Sequence, residues 1–334
     1  MTPAPYHRPG YRITLAGQDI TPKVNGRLNS LRIKAQRDQE SDQLDLVLTD
    51  HDGQLAIPPS GAMLSVAIGW QDEGLVDRGL FHVDEIEHSG SPDRLTIRAR
   101  AADMRRMLPG KRTQSWHGPT QTLGDIIGTV AGRNGLSPVI GGDLAAIPLP
   151  HIDQTDESDL NFLTRLGQRY DAVATIKSQH LIFTPAGNGR AASGAALGGV
   201  VLTRKSGDRH RYSRTERDAD SYTGVRVYWN DPREAKRQVV IAGGTEKLKE
   251  LRAVFASEAD ATDAARSEWQ RIQRRAALFE LTLAHGRADL AAETPVTVSG
   301  FKPQIDGTDW LITDVEDILD DNGYVTRIRC EVKT

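Results

Sequence analysis

The run Phe81-His82-Val83-Asp84-Glu85-Ile86-Glu87-His88 has a near double in Trp310-Leu311-Ile312-Thr313-Asp314-Val315-Glu316-Asp317. In each run two apolar residues alternate with polar ones, and the next apolar residue comes three positions on instead of two. Phe81 and Val83 are followed by Ile86, and Trp310 and Ile312 by Val315. A strictly alternating strand cannot keep all three on one face. One extra residue restores the face, so the pattern predicts a β-bulge near Asp84 and Glu85 and another near Thr313 and Asp314. A defect shared at matching positions argues for duplication more strongly than shared alternation, which unrelated strands also show. Coincidence among short β patterns is the plainer alternative.

Further matches flank this pair in the same order. Leu44-x-Leu46-x-Leu48 matches Phe279-x-Leu281-x-Leu283, and Val66-x-Ile68-Gly69-Trp70 is echoed by Val296-x-Val298-Ser299-Gly300-Phe301. Period-two alternation places strands at 11–15, 30–35, 44–48, 63–70, 80–88 and 94–100. Further strands follow at 224–229, 279–283, 295–301, 310–316 and 324–332, with Asn322-Gly323 as a two-residue hairpin turn. In the second copy, strand 224–229 is the counterpart of strand 30–35. A helix at about 257–276, capped by Ser257 with Asp260, interrupts that copy.

The middle of the chain reads differently. Thr122 and Asp125 form a capping box for a helix over 123–133. A second helix starts near Asp156 or Ser158 and carries Leu160, Leu163, Leu166 and Tyr170. A hairpin spans 172–176 and 180–184. Residues 185–199 are a Gly-, Ala- and Ser-rich loop, and 204–220 a solvated connector of mixed charge. The expected fold is mainly β with an α+β middle. Its parts are a tube-like antiparallel β-barrel over 1–104, a central region over 105–220, and a second barrel over 221–334 with a helical insertion over about 231–278. The two barrels are related by internal duplication.

The 334 residues include 38% hydrophobic and 26% charged side chains, enough for packed cores. The 42 basic and 45 acidic side chains leave a net charge of −3, without the basic footprint of a duplex-binding protein. The single cysteine, Cys330, excludes an internal disulfide and a multi-cysteine metal site. No run is apolar and long enough to span a bilayer, and the N-terminus lacks a secretory core. A protein made in a reducing cytoplasm is expected.

A search for chemistry finds little. Gly187-Asn188-Gly189-Arg190-Ala191-Ala192 fits a dinucleotide fingerprint by spelling, but no βαβ unit surrounds it. The nine histidines are scattered, without H-E-x-x-H. Cys330 alternates with Ile328 and Val332 and reads as a core residue. No catalytic, cofactor-binding or metal-binding set emerges. What remains is surface: Asp84, Glu85, Glu87 and His88 on one strand, and Thr313, Asp314, Glu316 and Asp317 on its double. These are candidates for a subunit contact or a channel wall.

The order of three segments resembles the late-control gene D proteins of contractile-tailed phages, baseplate hubs similar to the hub part of the type VI secretion spike. The segments are Gln154-Thr155-Asp156-Glu157-Ser158-Asp159-Leu160-Asn161-Phe162-Leu163-Thr164-Arg165-Leu166 with the following hairpin, then residues 222–229, then Val296 through Thr326 with Trp310-Leu311-Ile312 and Gly323-Tyr324. Asp317 departs from the histidine found in many relatives. The resemblance implies a homotrimer in the virion tail, assembled in the host cytoplasm, whose two barrels per protomer make a pseudo-six-fold ring. Such a ring joins the tail tube protein to a separate trimeric central spike and touches other baseplate components. It has no enzymatic activity, no cofactor and no membrane insertion, and DNA passes through its channel without specific binding. A tail-associated peptidoglycan hydrolase and a nucleic-acid-binding regulator are the alternatives.

Overall fold

The computed structural model describes residues 7–37, 41–59, 61–101, 110–118, 120–149, 151–177, 180–190, 195–214, 222–231 and 236–334. The chain is mainly β. The first region holds β1 (Pro9–Leu15), β2 (Gln18–Asp19), β3 (Leu28–Gln36), β4 (Gln43–Thr49), β5 (Met63–Trp70), β6 (Gly74–Ser89) and β7 (Arg94–Ala101). The middle holds β8 (Arg112–His117), β9 (Ser137–Ile140), β10 (His151–Glu157), β11 (Ala172–Lys177) and β12 (His180–Pro185). Then come β13 (Val200–Thr203), β14 (Gly207–Arg214), β15 (Gly224–Asp231), β16 (Lys236–Gly243) and β17 (Leu248–Phe255). The chain finishes with β18 (Ala277–Leu283), β19 (Pro295–Ser299), β20 (Trp310–Asp320) and β21 (Gly323–Val332).

Thirteen strands join in one sheet, ordered β14-β18-β21-β20-β3-β4-β7-β6-β5-β1-β2, with β19 also on β20 and β13 beyond it. The two separate barrels expected from the sequence do not form in the single chain. The order is open, and among the described strands neither half closes on itself. Instead β3 of the first half pairs with β20 of the second. An edge left open by one half is covered by the other, which satisfies both rows of backbone groups.

Both expected bulges are present. β6 slips against β7 between Val83 and Glu85. β20 slips against β21 between Ile312 and Asp314. The extra residue lets Trp310, Ile312 and Val315 all stay buried in one cluster, and Phe81, Val83 and half-buried Ile86 share another. The hairpin turn lies one residue earlier than Asn322-Gly323: Asp320 pairs with Gly323, so Asp321 and Asn322 make the loop. Gly323 opens β21 at φ +112°, where a side chain is strained.

Two readings of the charged stretch and its neighbour are overturned. Residues 207–214 are a strand of the main sheet, β14, paired with β18; residues 215–220 lie outside the described set. Its run of Arg and His hid the alternation because little of it is buried, as suits an edge strand. Conversely, the strand at 224–231 is not the counterpart of β3. It is the centre of a separate sheet, β16-β15-β17, laid on the helix Glu258–Arg274 through Val225, Val227, Ala261 and Ala265.

The helix Leu123–Arg133 has the capping box read from Thr122 and Asp125. The second helix is Asp159–Tyr170, capped by Ser158, and it packs Phe162, Leu163 and Leu166 into the middle core. β8, β9 and β10 show no alternation in the sequence because each carries only one or two large apolar side chains: Trp116, Val139 with Ile140, and Ile152. No helix of the described residues is long and apolar enough to cross a membrane.

Asp159 explains why Gln154 belongs to the same motif. Its carboxylate accepts from Arg133 Nε at 2.8 Å, Asn134 Nδ2 at 2.7 Å and Gln154 Nε2 at 2.9 Å. Burial raises the carboxyl, but these donors outweigh it and hold it below the usual range. A carboxyl lowered in the folded state stabilises above its unfolded pKa of 3.8, and that stability is lost as pH falls through the folded value. Asp159→Asn is therefore expected to cost about 2 kcal/mol at neutral pH, with the gap to wild type narrowing on acidification. Urea melts at several pH values check this. A gap independent of pH would contradict it.

Candidate assembly interface

The seam inside the chain shows what an edge of this sheet accepts. β20 has two neighbours along one side. Val296 and Pro295 of β19 pair with Trp310 and Leu311. β3 pairs with the rest, from Asp314↔Gln36 to Asp320↔Ser30. Across the seam Gln36 Nε2 donates to Asp314 Oδ1 at 2.6 Å, and Arg32 Nε lies 3.3 Å from Glu316 Oε1. Asp314 and Glu316 thus sit at a β-edge contact, within one chain. Thr313 lies in the bulge, where its hydroxyl donates to Asp314 at 2.6 Å.

Asp317 is fully buried, so it is not a channel or surface residue. It accepts from Tyr324 Oη at 2.9 Å and Thr326 Oγ1 at 2.7 Å, with Arg78 of the first half 3.1 Å away. Burial pushes its carboxyl up, against the pull of the Arg78 guanidinium. Its role is to tie the halves together. Trp70 Nε1 adds a second tie, donating to Gly286 O at 2.8 Å. Leu319 and Tyr324 of the second half complete the core of the first.

The other group lies on β6, with three strands between it and β20. β5 covers β6 only as far as Met63↔His82. Among the described strands none lies on that side of residues 85–89. Glu85 and Glu87 reach back to Arg98 at 2.8 and 3.7 Å, with side chains 59% and 51% exposed. Asp84 lies 3.6 Å from Arg100, and His88 Nε2 is 3.5 Å from Asp50.

A third edge was missed in the sequence. β14 ends the sheet, and no described strand covers its outer side. It is laid on β18 as β3 is laid on β4. Leu28↔Leu48 is followed by a slip to Ser30↔Val47, and Gly207↔Leu283 by a slip to Arg209↔Thr282. This register sets Arg211 where Arg32 stands and Ser213 where Lys34 stands. The register of β6 on β7 and of β20 on β21 likewise sets Glu87 where Glu316 stands. The Arg–Glu pair of the seam is therefore duplicated on two open edges, with Arg211 75% exposed.

The family model for the phage tail baseplate hub (GPD) matches residues 40–323. The chain belongs to the phage tail baseplate hub family. A relative from Escherichia phage 186, described as a probable baseplate hub protein, is 41% identical, with 97% of this chain and 93% of that protein covered. The 43 kDa tail protein of prophage MuSo2 from Shewanella oneidensis has the same fold, with a TM-score of 0.70, 18% identity and 97% of each chain covered. A type VI secretion system component from E. coli, itself described as similar to tail proteins of bacteriophage T4, matches with a TM-score of 0.60 and 13% identity, covering 96% of this chain and 77% of that one. As a baseplate hub, the chain is a structural component of the virion tail.

Proposed function

We propose that three copies of this hub close a ring by repeating the internal seam between protomers. The observation that carries this is the open twin of the β3–β20 contact. β14 of one protomer pairs with residues 86–89 of β6 in the next, placing Glu87 opposite Ser213 and His88 opposite Tyr212. Arg211 then approaches Glu87 as Arg32 approaches Glu316. Each protomer contributes one internal and one external seam, so three protomers present six similar positions around a channel. The tube-like barrel is thus a property of the trimer, built from sheets that stay open in the single chain.

Duplication accounts for the geometry. Both halves run in one order, β3-β4-β7-β6-β5 and β14-β18-β21-β20-β19, with slips at matching places. They differ at the end, where β1 is antiparallel to β5 and β13 parallel to β19. On this reading the second half begins at Val200. Pseudo-six-fold symmetry lets the ring continue a tail tube on one side and seat a separate trimeric central spike on the other. The middle region and the β15–β17 sheet are left for other baseplate components. The role is structural and not enzymatic: among the described residues, two carboxylates that burial holds above their usual range, Glu293 and Asp317, are each bound to a guanidinium, Arg37 and Arg78.

Light scattering tests the assembly. A mass near three times 36.6 kDa is expected for the hub alone, or that mass plus the bound spike when the spike is added. A chain that stays monomeric with its spike present overturns the ring.

A further inference from the structure

One cluster of ligand-type side chains lies away from both seams. His7 precedes β1, Glu73 lies in the turn between β5 and β6, and His285 follows β18. One donor atom of each lies within 4.8 Å of the other two. Their wide separation in the chain concealed the group from any search by spacing.

The two imidazoles are held. His285 lies flat on Trp70, with ring centroids 3.9 Å apart and planes 1° apart. Trp70 is itself anchored through its bond to Gly286 O. His285 Nε2 faces Glu73 Oε1 at 3.9 Å. His7 stands edge-on to both rings. Its Nδ1 lies 2.7 Å from Asp72 Oδ2. A carboxylate on Nδ1 fixes the tautomer and leaves the lone pair on Nε2, the arrangement that supports metal-bound histidine.

We propose that His7, Glu73 and His285 bind a divalent first-row transition ion, with Asp72 as the outer support of His7. Two imidazoles and one carboxylate are a donor set for zinc or iron(II), with the remaining positions taken by water. Bonds of about 2.0–2.2 Å require the donors to draw closer than they stand, and the exposed side chains of His7 and Glu73 have room to do so. Arg287 is the nearby competing charge for Glu73, but its guanidinium is engaged by Asp289 at 2.6 and 2.7 Å. The ion would clip the first half of the chain to the second, since His285 belongs to the second. The site is independent of ring closure.

The test uses the full chain, stripped with chelator and titrated calorimetrically with zinc chloride at neutral pH. One zinc per chain is expected, with a rise in Tm. His7→Ala and Glu73→Gln are each expected to weaken binding at least tenfold, and Asp72→Asn by about tenfold. Both principal variants change exposed loop residues, so circular dichroism is expected to match wild type. His285→Ala is avoided because it also removes the stack on Trp70. Cobalt(II) gives a second readout, a visible ligand-field band present in wild type and lost in His7→Ala. Absence of stoichiometric zinc binding overturns the site. So does zinc affinity unchanged in both variants, because the ion then sits elsewhere.

Discussion

Oxidation of a Glu87→Cys/Ser213→Cys double variant is expected to link hub protomers covalently, giving a non-reducing gel ladder that ends at the trimer. The two positions inherit the register of Glu316 and Lys34, which are direct partners across the internal seam. Directly opposite residues in an antiparallel pair bring their Cα atoms to about 4.5–5.5 Å, within the span of a disulfide. Lys34→Cys/Glu316→Cys is the positive control and closes a link inside one chain. Glu87→Cys/Arg209→Cys is the register control, because four residues along a strand add about 13 Å. Native Cys330 is buried in the second core, where burial pushes its thiol well up, and it takes no part. The contrast is near-complete linkage against none. If assembled hub carries the internal link but no link between protomers, the ring is built through some other surface.

Glu331→Ala is expected to be among the most damaging single changes for stability. Glu331 is buried between two guanidiniums. Arg37 donates to both of its oxygens, Nη2 to Oε2 at 3.1 Å, and Arg274 Nε lies 3.0 Å from Oε1. Arg274 also donates to both oxygens of Asp171, at 2.5 Å each. Arg37 lies 3.3 Å from Glu293, which in turn accepts from Gly187 N at 3.1 Å. The network thus gathers the end of β3, the middle region, the Glu258–Arg274 helix, the loop at Glu293 and β21. Removing Glu331 takes from each buried guanidinium one of its two carboxylates, leaving Arg274 to Asp171 and Arg37 to the more distant Glu293, at a cost of about 3 kcal/mol. At ~2–4 °C per kcal/mol for chains somewhat shorter than this one, Tm is expected to fall on the order of 10 °C. Glu331→Ala combined with Arg274→Ala is expected to cost less than the two single changes added together, because they share one network. A Tm shift below ~2 °C for Glu331→Ala would show that the network is solvated and unimportant.

Local pattern alone determined a good deal. Alternation placed most strands of both halves, capping residues placed the helix starts at Thr122 and Ser257, and apolar spacing left the second helix to start near Asp156 or Ser158, of which Ser158 is the cap. The spacing of Val83 to Ile86 and of Ile312 to Val315 marked both bulges. These features depend on residues a few positions apart, whose burial must match the pleat or the helical turn. The three quoted segments were enough for the family.

Tertiary structure alone decided how the edges are used. Nothing in residues 28–36 says whether their open side meets β20 of the same chain or a strand of another, since backbone groups pair with any edge of suitable register. β14 escaped notice because an edge strand buries too few side chains to show alternation. Asp317 looked like a surface acid, because its partners Arg78, Tyr324 and Thr326 meet it only when the halves dock. The Arg37–Glu331 pair joins residues 294 apart in the chain. Periodicity is set by what a residue does within its own strand or helix, whereas these contacts are set by which elements the folded chain brings together.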